Sequence, residues 1–454
     1  MNESAPPAQA VTKKEMRTVV ASCVVGTTVE WYDFFLYGTA AGIVFNKLYF
    51  PNNDPLVATM LAFATFAVGF VARPLGGLVF GHIGDKVGRK KTLVATMLLM
   101  GVATCLIGLL PTHEQIGIAA PVALIVLRIA QGIAVGGEWG GAVLMAVEYA
   151  PRRRRGLYGS LPQVGLALGL MLGTGIFAGL NAMMSDASFL AWGWRIAFLL
   201  SAILVVAGLF IRLKVMETPA FRKLEEREEH ATVPALELVR VRRNRRHVLL
   251  GMGSRWVEGV AFNTWAVFAI SYGTGTLEMS QQTLLLAVMT SSAFMLVFIP
   301  LFGRLSDTLG RRQVFATGAV LAGVLAIPTF AALGTAEPVV VTVAIVVALG
   351  VFYPMMYGPQ AAFYAELFPI RVRYTGISFV YQFSGIFASG LTPLVLTYLL
   401  DLAGGGISLV ITYVLVAGAV SAACTLAVRP ADLEVDDDAE PVAAPTSLQA
   451  EPAG

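Results

Sequence analysis

Apolar residues run along this chain in long blocks separated by short polar breaks, and the blocks predict membrane-crossing helices. Each holds the ~20 residues that a bilayer-spanning helix needs. They lie at about 19–45, 57–84, 91–111, 116–147, 157–183, 195–213, 248–277, 282–303, 313–334, 338–366, 374–399 and 405–428. Gly and Pro recur inside them, as membrane helices tolerate. Two segments break the rhythm. Residues 214–247 are a charged connector with expected short surface helices, and 429–454, with acidic Asp436 to Asp438, reads as a disordered tail without heptads. The predicted order is therefore a tail at 1–17, a six-helix bundle at 18–213, the connector, a second six-helix bundle at 248–428 and the final tail. The fold class is all-α, twelve helices in two pseudo-symmetric bundles.

Polar motifs repeat at the matching breaks. GHIGDKVGRK at 81–90 returns as GRLSDTLGRR at 303–312, and Glu148-x-x-Pro151-x-Arg153-x-Arg155 returns as Glu366-x-x-Pro369-x-Arg371-x-Arg373. The shifts, 222 and 218 residues, nearly agree. A weaker echo pairs Glu30-Trp31-Tyr32-Asp33 with Arg255-Trp256-Val257-Glu258. Internal repeats of this kind mark secondary transporters, whose substrate site lies between the repeats near the midplane.

Composition removes other classes. The chain is 56% hydrophobic and 13% charged, against roughly 25% charged in soluble domains. With the amino terminus placed in the cytoplasm, 27 of the 32 Lys and Arg fall on the cytoplasmic side, as the positive-inside rule requires. Both termini are then cytoplasmic, and the first block, which contains Glu30 and Asp33, reads as a span and not a cleaved signal. Cys23, Cys105 and Cys424 stand apart, and the four His fall in loops and the connector. No metal, cofactor or enzymatic constellation is expected. The basic stretch at 240–246, flanked by spans, suits anionic lipid better than nucleic acid.

Ionisable side chains inside spans cost about 2.5–3.5 kcal/mol on insertion scales, so they mark pathways or relays. Glu30 and Asp33 share one face of span one. Arg128, Gln131 and Glu138 share a face of span four; Arg255, Glu258 and Trp265 form a stripe on span seven, and Tyr353, Tyr357 and Gln360 one on span ten. A carboxylate that takes up a proton becomes neutral and turns inward at lower cost, so Asp33, Glu30 and Glu138 are the proton-coupling candidates. Arg128 and Arg73 suit a substrate carboxylate through their guanidinium forks. Alternatively, Arg128 neutralises a carboxylate of span one and Arg73 pairs with Asp85. Gln131, Trp139, Arg255, Glu258, Tyr353 and Tyr357 complete the substrate-binding candidates, although Trp at such spacing is commonly packing. Asp85 with Arg89 and Asp307 with Arg311 are placed at a gate that pairs when the inner side closes, with Glu148, Arg155, Glu366 and Arg373 as partners.

GHIGDKVGRK and GRLSDTLGRR resemble the paired loop motif of the major facilitator superfamily, and Arg128-x-x-Gln131-Gly132 resembles its second signature. GTTVEWYDFFLYGTAA in span one, FVARPLGG at 70–77, VGGEWGGA at 135–142 and GWRIAF at 193–198 resemble its metabolite:proton symporter family. The resemblance runs from about 18 to 428. It implies a monomeric, non-enzymatic cell-membrane transporter whose partners are a small molecule and protons. It further implies uptake of an organic acid of shikimate, dicarboxylate or aromatic type, with proline and betaine-like zwitterions, or a proton-driven exporter, as the alternatives. The missing long coiled-coil tail counts against osmosensing, and span five lacks the Gly-Pro signature of exporters.

Overall fold

A computed structural model describes residues 13–433 apart from 88, 137–142, 144–145, 148–149 and 215–239. The predicted spans are helices. The first six are α1 (Lys13–Ala40), α2 (Pro55–Val87), α3 (Arg89–Leu109), α4 (Ala119–Val135), α5 (Arg155–Met183) and α6 (Trp194–Lys214). The second six are α7 (Arg242–Asn263), α8 (Gln281–Leu309), α9 (Arg311–Val324), α10 (Pro354–Leu367), α11 (Ile370–Gly385) and α12 (Ser408–Ala427). Among the described residues, eight stretches are long and apolar enough to cross a bilayer by length and composition, α9, α10 and α11 within longer ones at 311–333, 338–367 and 375–402, and Val94–Leu109 and Ala119–Val135 are shorter apolar helices. The other two, α1 and α7, carry the buried charges Glu30, Asp33, Arg255 and Glu258.

The outer face is apolar as well as the interior. On α2, Val71, Leu75 and Val79 recur every four residues on the exposed face, while Phe66, Phe70 and Arg73 turn inward. Lipid covers the first set at no hydrophobic cost, and only the interior offers Arg73 partners. Within the first six helices, α1 packs on α5, α2 on α4 and α3 on α6; within the second, α9 and α7 pack on α12. Two seams join the sets, α5 against α8 and α10, and α2 against α11. Five-residue π turns interrupt the first helix of each set at matching places, Ala41–Phe45 and Thr264–Phe268. Such turns concentrate at functional sites.

Most of the repeated motif is helix and not loop. Residues 81–87 continue α2 and 303–309 continue α8; in the second copy the chain reverses at Gly310, whose φ of 94° lies in the region that favours glycine. The charged connector is described only at Lys214 and from 240 onward, and α7 begins at Arg242. Residues 430–433, expected within the tail, form a short helix, α13 (Pro430–Leu433). It is docked by Arg246 and His247 on Asp432, at 3.4 and 3.6 Å. Burial pushes the Asp432 carboxyl up, but the Arg429 backbone N–H and the charges of His247, Arg246 and Arg243 outweigh it and hold it low. The docking is therefore strongest near neutral pH and is lost as Asp432 protonates in acid.

α2 and α4 approach backbone to backbone. A Cβ on Gly132 would land on the Gly69 carbonyl, and one on Gly136 on the Arg73 carbonyl. Small residues permit this approach in membranes, and it brings Arg73 and Arg128 to one site. For Gly132→Val, neither backbone can yield, so a destabilisation at or above the usual ~1–3 kcal/mol of overpacking is expected. Loss of the monodisperse peak in detergent, or a fall in Tm of several degrees, checks it.

Candidate functional site

Between α1, α2, α3 and α4 lies a pocket lined by Glu30, Asp33, Phe34, Arg73, Arg128 and Gln131. The five polar residues are all at most 4% exposed. The space among them is about 10 Å³, room for about one water, so an organic solute requires the helices to part.

Asp33 and Arg128 are joined through two neutral side chains. The Thr104 hydroxyl donates to Asp33 Oδ2 at 2.9 Å, Gln131 Nε2 donates to Thr104 at 2.7 Å, and Arg128 Nη1 donates to Gln131 Oε1 at 3.1 Å. Among the described residues, Asp33 Oδ1 and Arg128 Nε have no hydrogen-bond partner. Aromatic faces hold the cations: Arg128 sits 4.2 Å from the Tyr37 ring centre, and Arg73 4.5 Å from Phe70 and 5.0 Å from Phe34. Gly69 leaves the space that the Arg128 guanidinium occupies, since a Cβ there would meet Nε at 2.5 Å.

A second cluster stands in the other half. Arg255 pairs with Glu258 at 3.3 Å, bonds Ser384 Oγ at 3.2 Å and lies 3.9 Å over Tyr381. Tyr353 donates to Glu258 at 2.6 Å and stacks on Tyr357 at 5.5 Å. Tyr357 and Gln360 are fully buried beside this cluster. An aromatic seam, Phe35 on Phe262 at 4.9 Å and Phe262 on Tyr353 at 5.3 Å, links the clusters. The structure thus gathers Glu30, Asp33, Arg73, Arg128 and Gln131 in one group and Arg255, Glu258, Tyr353 and Tyr357 in another. Glu138, Trp139 and Glu148 lie outside the described residues. Trp256 donates to Tyr413 and Trp265 packs on Phe330.

At one end of the seam, Asp307 caps α5 from the opposite half. Its oxygens accept from the backbone N–H of Gly156 at 2.7 Å and Leu157 at 3.0 Å, where a helix amino terminus favours a carboxylate. Arg311 bridges Asp307 at 3.3 Å and Glu366 at 3.1 Å. Arg155 is the first residue of the capped helix, and Arg373 Nε donates to the Phe368 carbonyl at 3.2 Å. The side chains of Asp85 and Arg89 lie outside the described set. At the other end, Gln281 bonds Asn181 at 3.3 Å across the halves. Asp307→Ala removes both cap bonds, a loss of about 1–2 kcal/mol and hence roughly five- to thirty-fold in favour of separation at this end. In a background lacking the native cysteines, faster alkylation of a cysteine introduced at Ser160 is expected; an unchanged rate would show that the cap does not hold the seam.

Sequence reading missed Thr104, Tyr37, Phe34, Phe70 and Tyr381. A Thr or an aromatic residue in an apolar helix carries no signal until its neighbours are known.

Two repeated six-helix halves around buried charge fit a membrane transporter. The chain belongs to the major facilitator superfamily, among its metabolite transporters. Residues 18–238 match the family described as "Sugar (and other) transporter" and 257–450 the "Major Facilitator Superfamily". It is 39% identical to the inner membrane metabolite transport protein YhjE of Escherichia coli (strain K12), over 84% of this chain and 87% of that one. It is 36% identical to the shikimate transporter of the same strain, over 91% and 94%, and 35% identical to its proline/betaine transporter, over 85% and 78%. Its fold resembles the proton:xylose symporter XylE bound to 6-bromo-6-deoxy-D-glucose, with a TM-score of 0.73 and 16% identity over 92% of this chain and 95% of that one.

Proposed function

We propose that this transporter is a proton-coupled symporter that takes up a small organic acid by alternating access between residues 18–213 and 248–428. The observation that carries this reading is the indirect link from Asp33 to Arg128 inside a charge-balanced pocket. Among the described lining residues, two guanidiniums face two carboxylates. With both acids ionised the group is neutral and holds no reason to take an anion. Protonation of Asp33 leaves one positive charge uncompensated in a buried site, which is unfavourable until a carboxylate arrives. Arg128 and Arg73 receive that carboxylate, and the buried Tyr357 and Gln360 in the other half receive the hydroxyls of a shikimate-like acid. Proton and anion then cross together, and the loaded pocket is again neutral. The relatives named for shikimate and for proline/betaine bracket the substrate; the charge count favours the acid over the zwitterion.

The Asp307 seam, rich in arginine, serves as the inner gate, with both chain termini on the cytoplasmic side and the protein acting as a monomer. One proton per monoanion carries no net charge. Accumulation should follow the pH gradient, about tenfold per unit at one-to-one stoichiometry, and ignore a valinomycin-clamped potential. Proteoliposomes with an inward proton gradient, tested with labelled shikimate, protocatechuate, dicarboxylates, proline and betaine, decide between the readings. Protonophore-sensitive accumulation of an acid supports symport. Exit of internal substrate as protons enter would show antiport, and uptake driven by potential would show a zwitterion or a different stoichiometry.

A further inference from the structure

Thr104 stands at the centre of the pocket's hydrogen bonds and is fully buried. Its oxygen lies 2.9 Å from Asp33 Oδ2 and 2.9 Å from the Met100 carbonyl one turn back, and it receives Gln131 Nε2 at 2.7 Å. A hydroxyl has one proton and two lone pairs, so it serves only one of the two acceptors at a time.

We propose that Thr104 is a positioning residue that converts the charge state of Asp33 into the freedom of Arg128, by turning its single hydroxyl proton between Asp33 and the Met100 carbonyl. This rests on the proton-coupling reading above. When Asp33 is ionised, Thr104 donates to it in a charge-assisted bond, about twice as strong as a neutral one. A hydroxyl that donates strongly also accepts more strongly. Gln131 Nε2 is then held, and Gln131 Oε1 is fixed as the acceptor for Arg128 Nη1. When Asp33 is protonated, its own O–H donates to the free lone pair of Thr104, and the Thr104 proton turns to Met100. Every group remains bonded and no heavy atom moves, but the charge-assisted link is gone, and Arg128 keeps only a neutral amide. Its guanidinium, whose Nε has no hydrogen-bond partner among the described residues, is released toward an incoming anion. Gln131 spends both ends of its amide on Thr104 and Arg128, which assigns it to positioning rather than to substrate contact.

Among the described residues, α1 itself brings Glu30 and Tyr32 to Asp33, α2 Arg73, and α4 Arg128 with Gln131. On α3, Cys105 lies 3.7 Å from Ser201 of α6, and α5 packs on α1 through Gly165, Gly169 and Gly173. Among the described residues only Thr104 touches the carboxylate and the amide together.

The test needs no known substrate. In the purified full-length protein, the infrared band of a protonated carboxyl that disappears in Asp33→Asn belongs to Asp33, and its intensity is followed against pH. Thr104→Val keeps the shape and removes the hydroxyl. Since that hydroxyl stabilises the ionised form, the midpoint should move to more alkaline pH by about one unit or more. Thr104→Ser should restore it. Gln131→Leu, one link further along, should move it in the same direction by a smaller amount, which a purely local hydrogen bond would not do. If Thr104→Val fails to fold, Thr104→Ala serves in its place. Absence of any band attributable to Asp33 at any pH would remove the coupling reading itself. A band that Asp33→Asn abolishes, with a wild-type midpoint in Thr104→Val and Thr104→Ala, would overturn the relay and leave the coupling reading standing. An unmoved or acid-shifted midpoint in Gln131→Leu would end the relay at Thr104.

Discussion

Asp33→Asn is expected to abolish proton-driven accumulation, bringing internal substrate down to the external concentration, while exchange of substrate across the membrane continues at a reduced rate. Asn has the size of Asp and can accept the same bond from Thr104, so the packing around a 2%-exposed side chain survives. What changes is charge. The variant is held permanently in the equivalent of the protonated state, so the pocket keeps an uncompensated cation whatever the pH. It can bind an anion and turn, but the return of the empty carrier no longer depends on releasing a proton. With a one-unit gradient, the tenfold accumulation of the parent should fall to unity, with folded protein of unchanged yield. Labelled uptake with and without a protonophore, beside counterflow at equal pH, measures both. Accumulation that persists in the variant would move the proton to Glu30 or Glu138.

Arg128→Lys has the opposite signature: accumulation and exchange should fall together, by about a hundredfold. Lysine preserves the charge but not the planar fork. It gives up stacking on Tyr37 at 4.2 Å, and a single ammonium cannot hold Gln131 Oε1 and also offer two parallel N–H groups to a carboxylate. Loss of such bidentate, charge-assisted contacts in a buried site amounts to about 2–3 kcal/mol. Counterflow of the labelled acid checks it. If exchange survives, Arg128 is a structural counter-charge for α1, and the carboxylate is bound by Arg73 instead. The two variants together separate coupling from binding, because only the second removes a group proposed to touch substrate.

The twelve spans were legible because a bilayer imposes one strong local rule: a helix that meets lipid must be apolar for about 20 residues. The duplicated motifs were legible because they are local strings. Their meaning shifted on folding, since the first copy and the second are mainly helix, and Asp307 acts by capping α5 of the opposite half, 150 residues away in sequence. Charges such as Asp33, Arg128, Arg255 and Glu258 stood out because an ionisable group in a span is costly and therefore conspicuous. Neutral polar residues are cheap in a helix, where a hydroxyl can bond the preceding turn, so Thr104 looked like any other threonine.

The chain's sequence by itself determined that it crosses a membrane in two repeated halves and which buried charges it carries, since both follow from the composition of single helices. Tertiary structure alone decided how those charges meet. Asp33 and Arg128 could have formed a direct ion pair; the close approach of α2 to α4 at Gly132 and Gly136, and the position of α3, place Thr104 and Gln131 between them. That separation depends on distances between helices far apart in the chain, which no local pattern encodes, and it keeps the guanidinium out of a direct ion pair with Asp33.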